Sequence, residues 1–154
     1  MKYKFIPHTA DIQFQAYGNS LEECFENCGY ALLHVMCKQK VKHIIKKKMV
    51  VKGKDRKSLL YNLLEEILYF FEVGGFLISE IKNLRILGTI AKETKVKDTK
   101  RFYNLELTCE IYGDNVRNYN IDLQVKAVTY HDMFIKEETS EKGKRFSAQV
   151  VVDV

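Results

Sequence analysis

Leu59-Leu60-Tyr61-Asn62-Leu63-Leu64-Glu65-Glu66-Ile67-Leu68-Tyr69-Phe70-Phe71 is the run from which the architecture follows. Its apolar residues recur at helical spacing and form a stripe too wide for one surface face, so they predict a central helix packed across a sheet. Gly53-Lys54-Asp55 turns the chain into this helix, and Gly74-Gly75 supplies a left-handed stop. Upstream, residues 3–6 and 12–17 carry apolar faces of period two on either side of a bend at residues 7–11. Ser20 is the expected N-cap of a first helix running to about Cys37, with Glu23 as its capping-box partner. A lysine-laced strand over 41–51 separates the two helices. Downstream the pattern is β: 76–90 with a kink near Ser79 and Glu80, 102–112, 121–130, 133–138 and 145–152. The last two strands form a hairpin across 140–143, and 92–101 is a basic connector of helical or disordered character. Helices bunched early with strands following give an α+β single-domain sandwich over residues 1–154. Two principal helices lie on mainly antiparallel sheet, in contrast to a doubly wound parallel fold.

Composition bounds the function. A chain of 154 residues can bury one sizeable core, removing roughly 70% of its unfolded surface from water, and a single Pro argues against a disordered linker. A net charge of +5 from 25 basic and 20 acidic residues describes a mixed, solvated surface and falls short of a dedicated polycation for RNA. Of the four cysteines, Cys24 and Cys28 share an apolar helix face and read as small buried hydrophobes. Cys37 and His34 point away from that face, which excludes a zinc site on the helix. No stretch resembles a signal peptide or spans a bilayer, so a cytoplasmic, reducing setting without membrane contact is expected. Neither a Walker A sequence nor G-x-G-x-x-G occurs, and nucleotide hydrolysis by this chain alone is not expected.

Three distant patches carry chemistry: His8-Thr9-Ala10-Asp11, Lys126-Ala127-Val128-Thr129-Tyr130-His131, and Asp153-Val154 at the end of a strand-like run. Alternation of Phe146, Ala148, Val150 and Val152 against Ser147, Gln149, Val151 and Asp153 holds the Asp153 side chain and the Val154 terminus together. If Asp11 sits beside them, three oxygen donors converge, and their repulsion is best relieved by a divalent cation. Asp11 follows the Pro7 bend, where a carboxylate can leave the core face and project from the sheet edge. Taken alone it is an ordinary turn or capping residue, as His8 alone is ordinary. Strand alternation puts Lys126, Val128 and Tyr130 on one side and Ala127, Thr129 and His131 on the other. A lysine in such a β-forming run reads equally as an edge-strand charge that blocks aggregation.

On these residues the chain resembles archease, the small protein partner of RtcB-type RNA ligases. The family's H-T-A-D motif is matched by His8 to Asp11, its K-A-V-T-Y-H block by Lys126 to His131, and its closing Asp plus aliphatic residue by Asp153-Val154. The Leu-rich helix over 59–72 extends the likeness to essentially the whole chain. The resemblance implies an accessory protein, not an enzyme, that activates a tRNA-splicing ligase by stimulating guanylylation of the ligase's histidine and supporting multiple turnover. It also implies a divalent cation, typically Ca²⁺, on Asp11, Asp153 and Val154, and a functional requirement for Lys126, with His8 and His131 as further partner-facing residues. Calcium takes 6 to 8 oxygen ligands, so three such groups leave positions for water or a partner's atoms. Some positions depart from the family pattern: Gln13 for a common Gly, Leu63 for a frequent Trp, Glu65 for a frequent Asn, and Tyr119 where a His is common. Tyr119 removes one candidate ligand.

Two other classes use the same chain. Asp11, Asp153, His8, His131 and Lys126 could serve a metal-dependent phosphodiesterase or nuclease. Alternatively, the basic segments 38–48 and 92–101 could serve a chaperone-like module for RNA or an RNA methyltransferase, an association also suggested for archease relatives. Lysine without interleaved aromatics is a weak RNA signal.

Overall fold

Every strand pairing among the described residues is antiparallel. The computed structural model describes residues 1–90 and 103–154, and the basic connector expected at 92–101 lies outside them. The order is β1 (Tyr3–Ile6), β2 (Ile12–Gly18), α1 (Leu21–Met36), β3 (Ile45–Gly53), α2 (Arg56–Glu72), β4 (Phe76–Ile90), β5 (Tyr103–Asn115), a 3₁₀ turn (Val116–Asn118), β6 (Ala127–Ser140) and β7 (Gly143–Asp153). One sheet runs β1-β2-β7-β6 and the other β3-β5-β4, and each helix packs on strands of both. The α+β expectation holds.

The caps differ from the reading of the sequence. Ser20 accepts from the Glu23 N–H at 3.1 Å, while the reciprocal capping box forms at α2, between Asp55 and Ser58. The Ser58 N–H holds the Asp55 carboxyl below its usual range. Helix α2 packs across β3, β4, β5 and β6 as expected, but α1 is the more deeply buried of the two. Cys24, Phe25, Cys28, Ala31, Leu32, Leu33, Val35 and Met36 are all buried, because α1 has β2 and β7 on one side and β4 with α2 on the other. A Cβ at Gly29 would stand 2.8 Å from Ile81 Cδ1 and 3.3 Å from Ile67 Cδ1, so a larger residue there would have to push these two flexible side-chain ends aside, whereas at Gly53 a Cβ would meet the Leu59 backbone N at 2.5 Å. Helix α2 buries Leu59, Leu60, Leu63, Leu64, Ile67 and Leu68, but Phe70 and Phe71 are only partly covered and Tyr69 is exposed. Its last turn runs past the core, with Phe70 edge-on to Phe76 at 6.1 Å before Gly75 turns the chain at φ 59°.

All four cysteines are free and buried. The adjacent Cys24 thiol and burial push the Cys28 thiol up, and burial pushes Cys109 up to about 12, so these groups pack as neutral thiols.

Two expected strands start later than their sequence suggests, and for one reason. Lys38 N–H donates to Asp122 Oδ2, Lys42 N–H to the Tyr119 hydroxyl and Asn120 N–H to Gln39 Oε1, while Asp122 N–H donates to Met36 O. These bonds tie residues 36–42 to 119–122 as paired loops and compete with ladder formation, so β3 begins at Ile45 instead of 41 and residues 121–126 are not strand. The segments 121–130 and 133–138 were expected as two strands. They are replaced by one strand, β6, whose register against β7 shifts between Thr129 and Phe134. In β4 the expected kink is a register shift between Ile78 and Glu80, with the Ser79 hydroxyl donating to Tyr112 O at 2.9 Å. The β6–β7 hairpin turns at residues 141–142, followed by Gly143 at φ 108°.

Candidate functional site at the strand ends

Strands β2, β7 and β6 lie side by side, and their register brings the early and late parts of the chain together. Ile12 faces Val152, Val152 faces Val128, and Asp153 faces Ala127. Asp11, one residue before the first pair of β2, therefore flanks Asp153 from one side, while the Lys126 N–H donates to Asp153 O at 2.8 Å from the other. Asp11 was expected at a sheet edge. It instead leaves the end of an inner strand, between β1 and β7, with its side chain 34% exposed. Ala10 takes φ 67°, the left-handed conformation that swings the chain into β2. Val154 packs its side chain against the core, which ties down the end of β7.

The Lys126 block only partly follows the expected alternation. Lys126 precedes β6 and is exposed, Val128 is buried, and Tyr130 is exposed again, stacked on Tyr61 of α2 at 4.3 Å and 10°. The Val128 N–H donates to Glu65 Oε1 at 3.3 Å. Glu65, one of the departures from the family pattern, thus reaches the strand that carries Lys126. Tyr119 is engaged elsewhere: its hydroxyl donates to Asp114 Oδ2 at 2.8 Å and accepts the Lys42 N–H.

His8 and His131 meet at a second focus. A ring nitrogen of each, together with a carboxylate oxygen of Asp132, lie within 4.8 Å of one another. His131 Nε2 is 3.2 Å from Asp132 Oδ2, and His8 Nδ1 is 4.0 Å from Asp11 Oδ2 with no hydrogen-bond partner among the described residues. Neighbours on a regular strand point to opposite faces, and here the bulge overrides that rule, with Asp132 at φ 52°. A ladder of polar side chains fixes the bulge: Tyr17 hydroxyl to Gln15 Oε1, Gln15 Nε2 to Gln149 Oε1, and Gln149 Nε2 to Asp132 O at 2.9, 2.8 and 2.9 Å.

Sequence reasoning missed Asp132, Gln15 and Gln149 as site residues and named Glu65 only as a departure from the family pattern. Asp132 left a trace, because the apolar alternation lapses at His131-Asp132 and Asp tolerates positive φ better than most residues.

Known proteins share this chain's sequence pattern and fold. The sequence model of the Archease protein family matches residues 3–154. Protein archease of Pyrococcus abyssi is 35% identical, covering 99% of both chains, and protein archease of Methanosarcina barkeri is 31% identical, covering 99% of this chain and 96% of its own. The solution structure of Methanobacterium thermoautotrophicum protein 1598 superposes with a TM-score of 0.70 at 30% identity, covering 99% of this chain and 98% of that one. No helix among the described residues is long and apolar enough to cross a membrane. With a family model matching nearly the whole chain and full-length relatives 35% and 31% identical, the chain belongs to the archease family.

Proposed function

We propose that this protein is an accessory factor that activates an RtcB-type tRNA-splicing RNA ligase, stimulating guanylylation of the ligase and its repeated turnover without joining RNA itself. The observation that carries the reading is the juxtaposition of Asp11, Asp153 and Lys126 on neighbouring strand ends in a chain of this family.

The donor set suits a hard cation. Asp11 and Asp153 offer carboxylate oxygens, and Val154, where it is the last residue, adds a third carboxylate, which favours Ca²⁺ over metals that prefer nitrogen or sulfur. Bound there, the ion would neutralise the clustered negative charge and order the strand ends. Lys126 is exposed and bonded through its backbone N–H to Asp153 O, and its ammonium would attract a phosphate or a carboxylate of the ligase. Glu65 and Tyr61 of α2 brace the strand from which it emerges.

The test is incorporation of GMP into purified ligase with wild-type protein, with Asp11→Ala, and with residues appended after Val154. Stimulation by the wild type and its loss in both variants is expected. Full stimulation by both variants would remove the strand-end site from the mechanism. A hydrolytic reading draws on His8, His131 and Asp132 as nitrogen and oxygen donors close together. It requires that the protein alone, with Mg²⁺ or Mn²⁺, cleave RNA, and the accessory reading expects the RNA to remain intact.

A further inference from the structure

The geometry points to a second metal site, separate in donor chemistry from the carboxylate cluster: His8, His131 and Asp132 bind a late divalent transition ion, of which Zn²⁺ is the representative. It depends neither on the ligase reading nor on calcium at Asp11 and Asp153.

Two imidazoles and one carboxylate form a donor set that zinc accepts readily and calcium does not, because calcium takes oxygen ligands. Donors around one zinc ion stand roughly 3.3 Å apart when each bond is about 2.0–2.1 Å long. The three groups lie within 4.8 Å of one another, so closure asks for only side-chain adjustment. The side chains of His131 and Asp132 are 67% and 58% exposed, which leaves room for that adjustment, while His8 is the more enclosed member. Its Nδ1 is shielded from solvent without a hydrogen-bond partner, and such a nitrogen is costly to leave unmet. Three protein donors leave an open position for water, the arrangement of a zinc site able to accept an outside ligand.

The placement gives the ion a structural consequence. His8 belongs to the loop that delivers Asp11, whereas His131 and Asp132 belong to the bulge of β6, two strands away across β7. One ion held by both would strap the loop before β2 to the edge strand. The bulge already has a fixed backbone, since Gln149 Nε2 donates to Asp132 O. His8 Nδ1 also faces Asp11 Oδ2 at 4.0 Å, so the strap would restrain the Asp11 loop as well.

The four histidines supply their own controls. His34 is engaged by the Tyr3 hydroxyl at Nδ1, and His43 pairs with Glu80. Imidazole ¹H–¹⁵N long-range spectra of the full chain are recorded during a Zn²⁺ titration in excess Ca²⁺, which keeps the oxygen site from competing. His8 and His131 are expected to shift together and saturate at one equivalent, with His34 and His43 unmoved. His131→Ala removes a direct ligand and should weaken Zn²⁺ binding by more than the roughly tenfold typical of losing only an outer-shell partner, and Asp153→Asn should leave it unchanged. A shift of His131 alone, of all four rings together, or of none would overturn the proposal, as would unaltered affinity in His131→Ala. Loss of ligase activation by a C-terminal extension that still binds Zn²⁺ would separate the two sites.

Discussion

The two ends of the β6–β7 pair are built from the same strands yet treat charge in opposite ways. At the hairpin end, Glu137 pairs with Lys144 at 3.2 Å and with Arg56 at 3.4 Å, and the ladder is regular from Phe134 to Ser140. The Lys144 ammonium and then Arg56 hold the Glu137 carboxyl below its usual range. At the other end the ladder is bulged, and among the described residues neither Lys126 nor Asp153 has an ion-pair partner within 4.0 Å. The hairpin end answers Glu137 with two cations. The other leaves a half-buried Asp153 and an exposed Lys126 without such partners, an arrangement that favours an external cation and a charged partner over fold stability.

Removing charge at the two ends should therefore have unequal effects. Lys126→Ala is expected to abolish most ligase stimulation while leaving the unfolding midpoint nearly unchanged, because the side chain is exposed. Parallel guanylylation and urea-denaturation measurements check this, and a large loss of stability would place Lys126 in the fold instead. Next in size is Gln149→Ala, which leaves Asp132 O and the Gln15 amide without their partner. It should cost about 1–3 kcal/mol in urea unfolding. Tyr130→Ala breaks the stack on Tyr61 and should cost about 0.5–1.5 kcal/mol beyond the area lost, which a double-mutant cycle with Tyr61→Ala isolates.

The smallest change is expected at the hairpin end. Because the folded Glu137 carboxyl is depressed, its stabilising contribution is present above the unfolded value of roughly 4.3 and is lost as pH falls through the lower folded value. Glu137→Gln should flatten that part of the acid-stability profile and leave ligase stimulation intact. If it impaired stimulation as strongly as Lys126→Ala, the distinction between the two ends would fail.

Much of the fold was legible because periodicity reports which face of an element is apolar. Residues 59–71 were recognisable as a helix on that basis, but periodicity does not report what covers a face, and α1 turned out to be enclosed while Phe70 and Phe71 of α2 lie partly open. The lapse at His131-Asp132 was visible as an interruption. Whether it ended a strand or bulged it depended on β7, whose pairing resumes at Phe134 opposite Gln149. Asp132 escaped notice because adjacent strand residues ordinarily diverge, and only its positive φ turns the carboxylate toward His131. The Gln15–Gln149 bond joins residues 134 apart and leaves no local pattern. Asp11 beside Asp153 was conditional on a β2–β7 register that no single segment encodes, and Ile12 opposite Val152 supplies it.

The decisive experiment is a double-mutant cycle on the initial rate of ligase guanylylation, with Asp11→Asn, Asp153→Asn and the pair combined. If the early aspartate and the late one work as a single cation-holding unit, each single change removes most of the stimulation and the double variant is no worse than either. Undiminished rates in both single variants, or losses that simply multiply in the double, would show that the two residues do not act together.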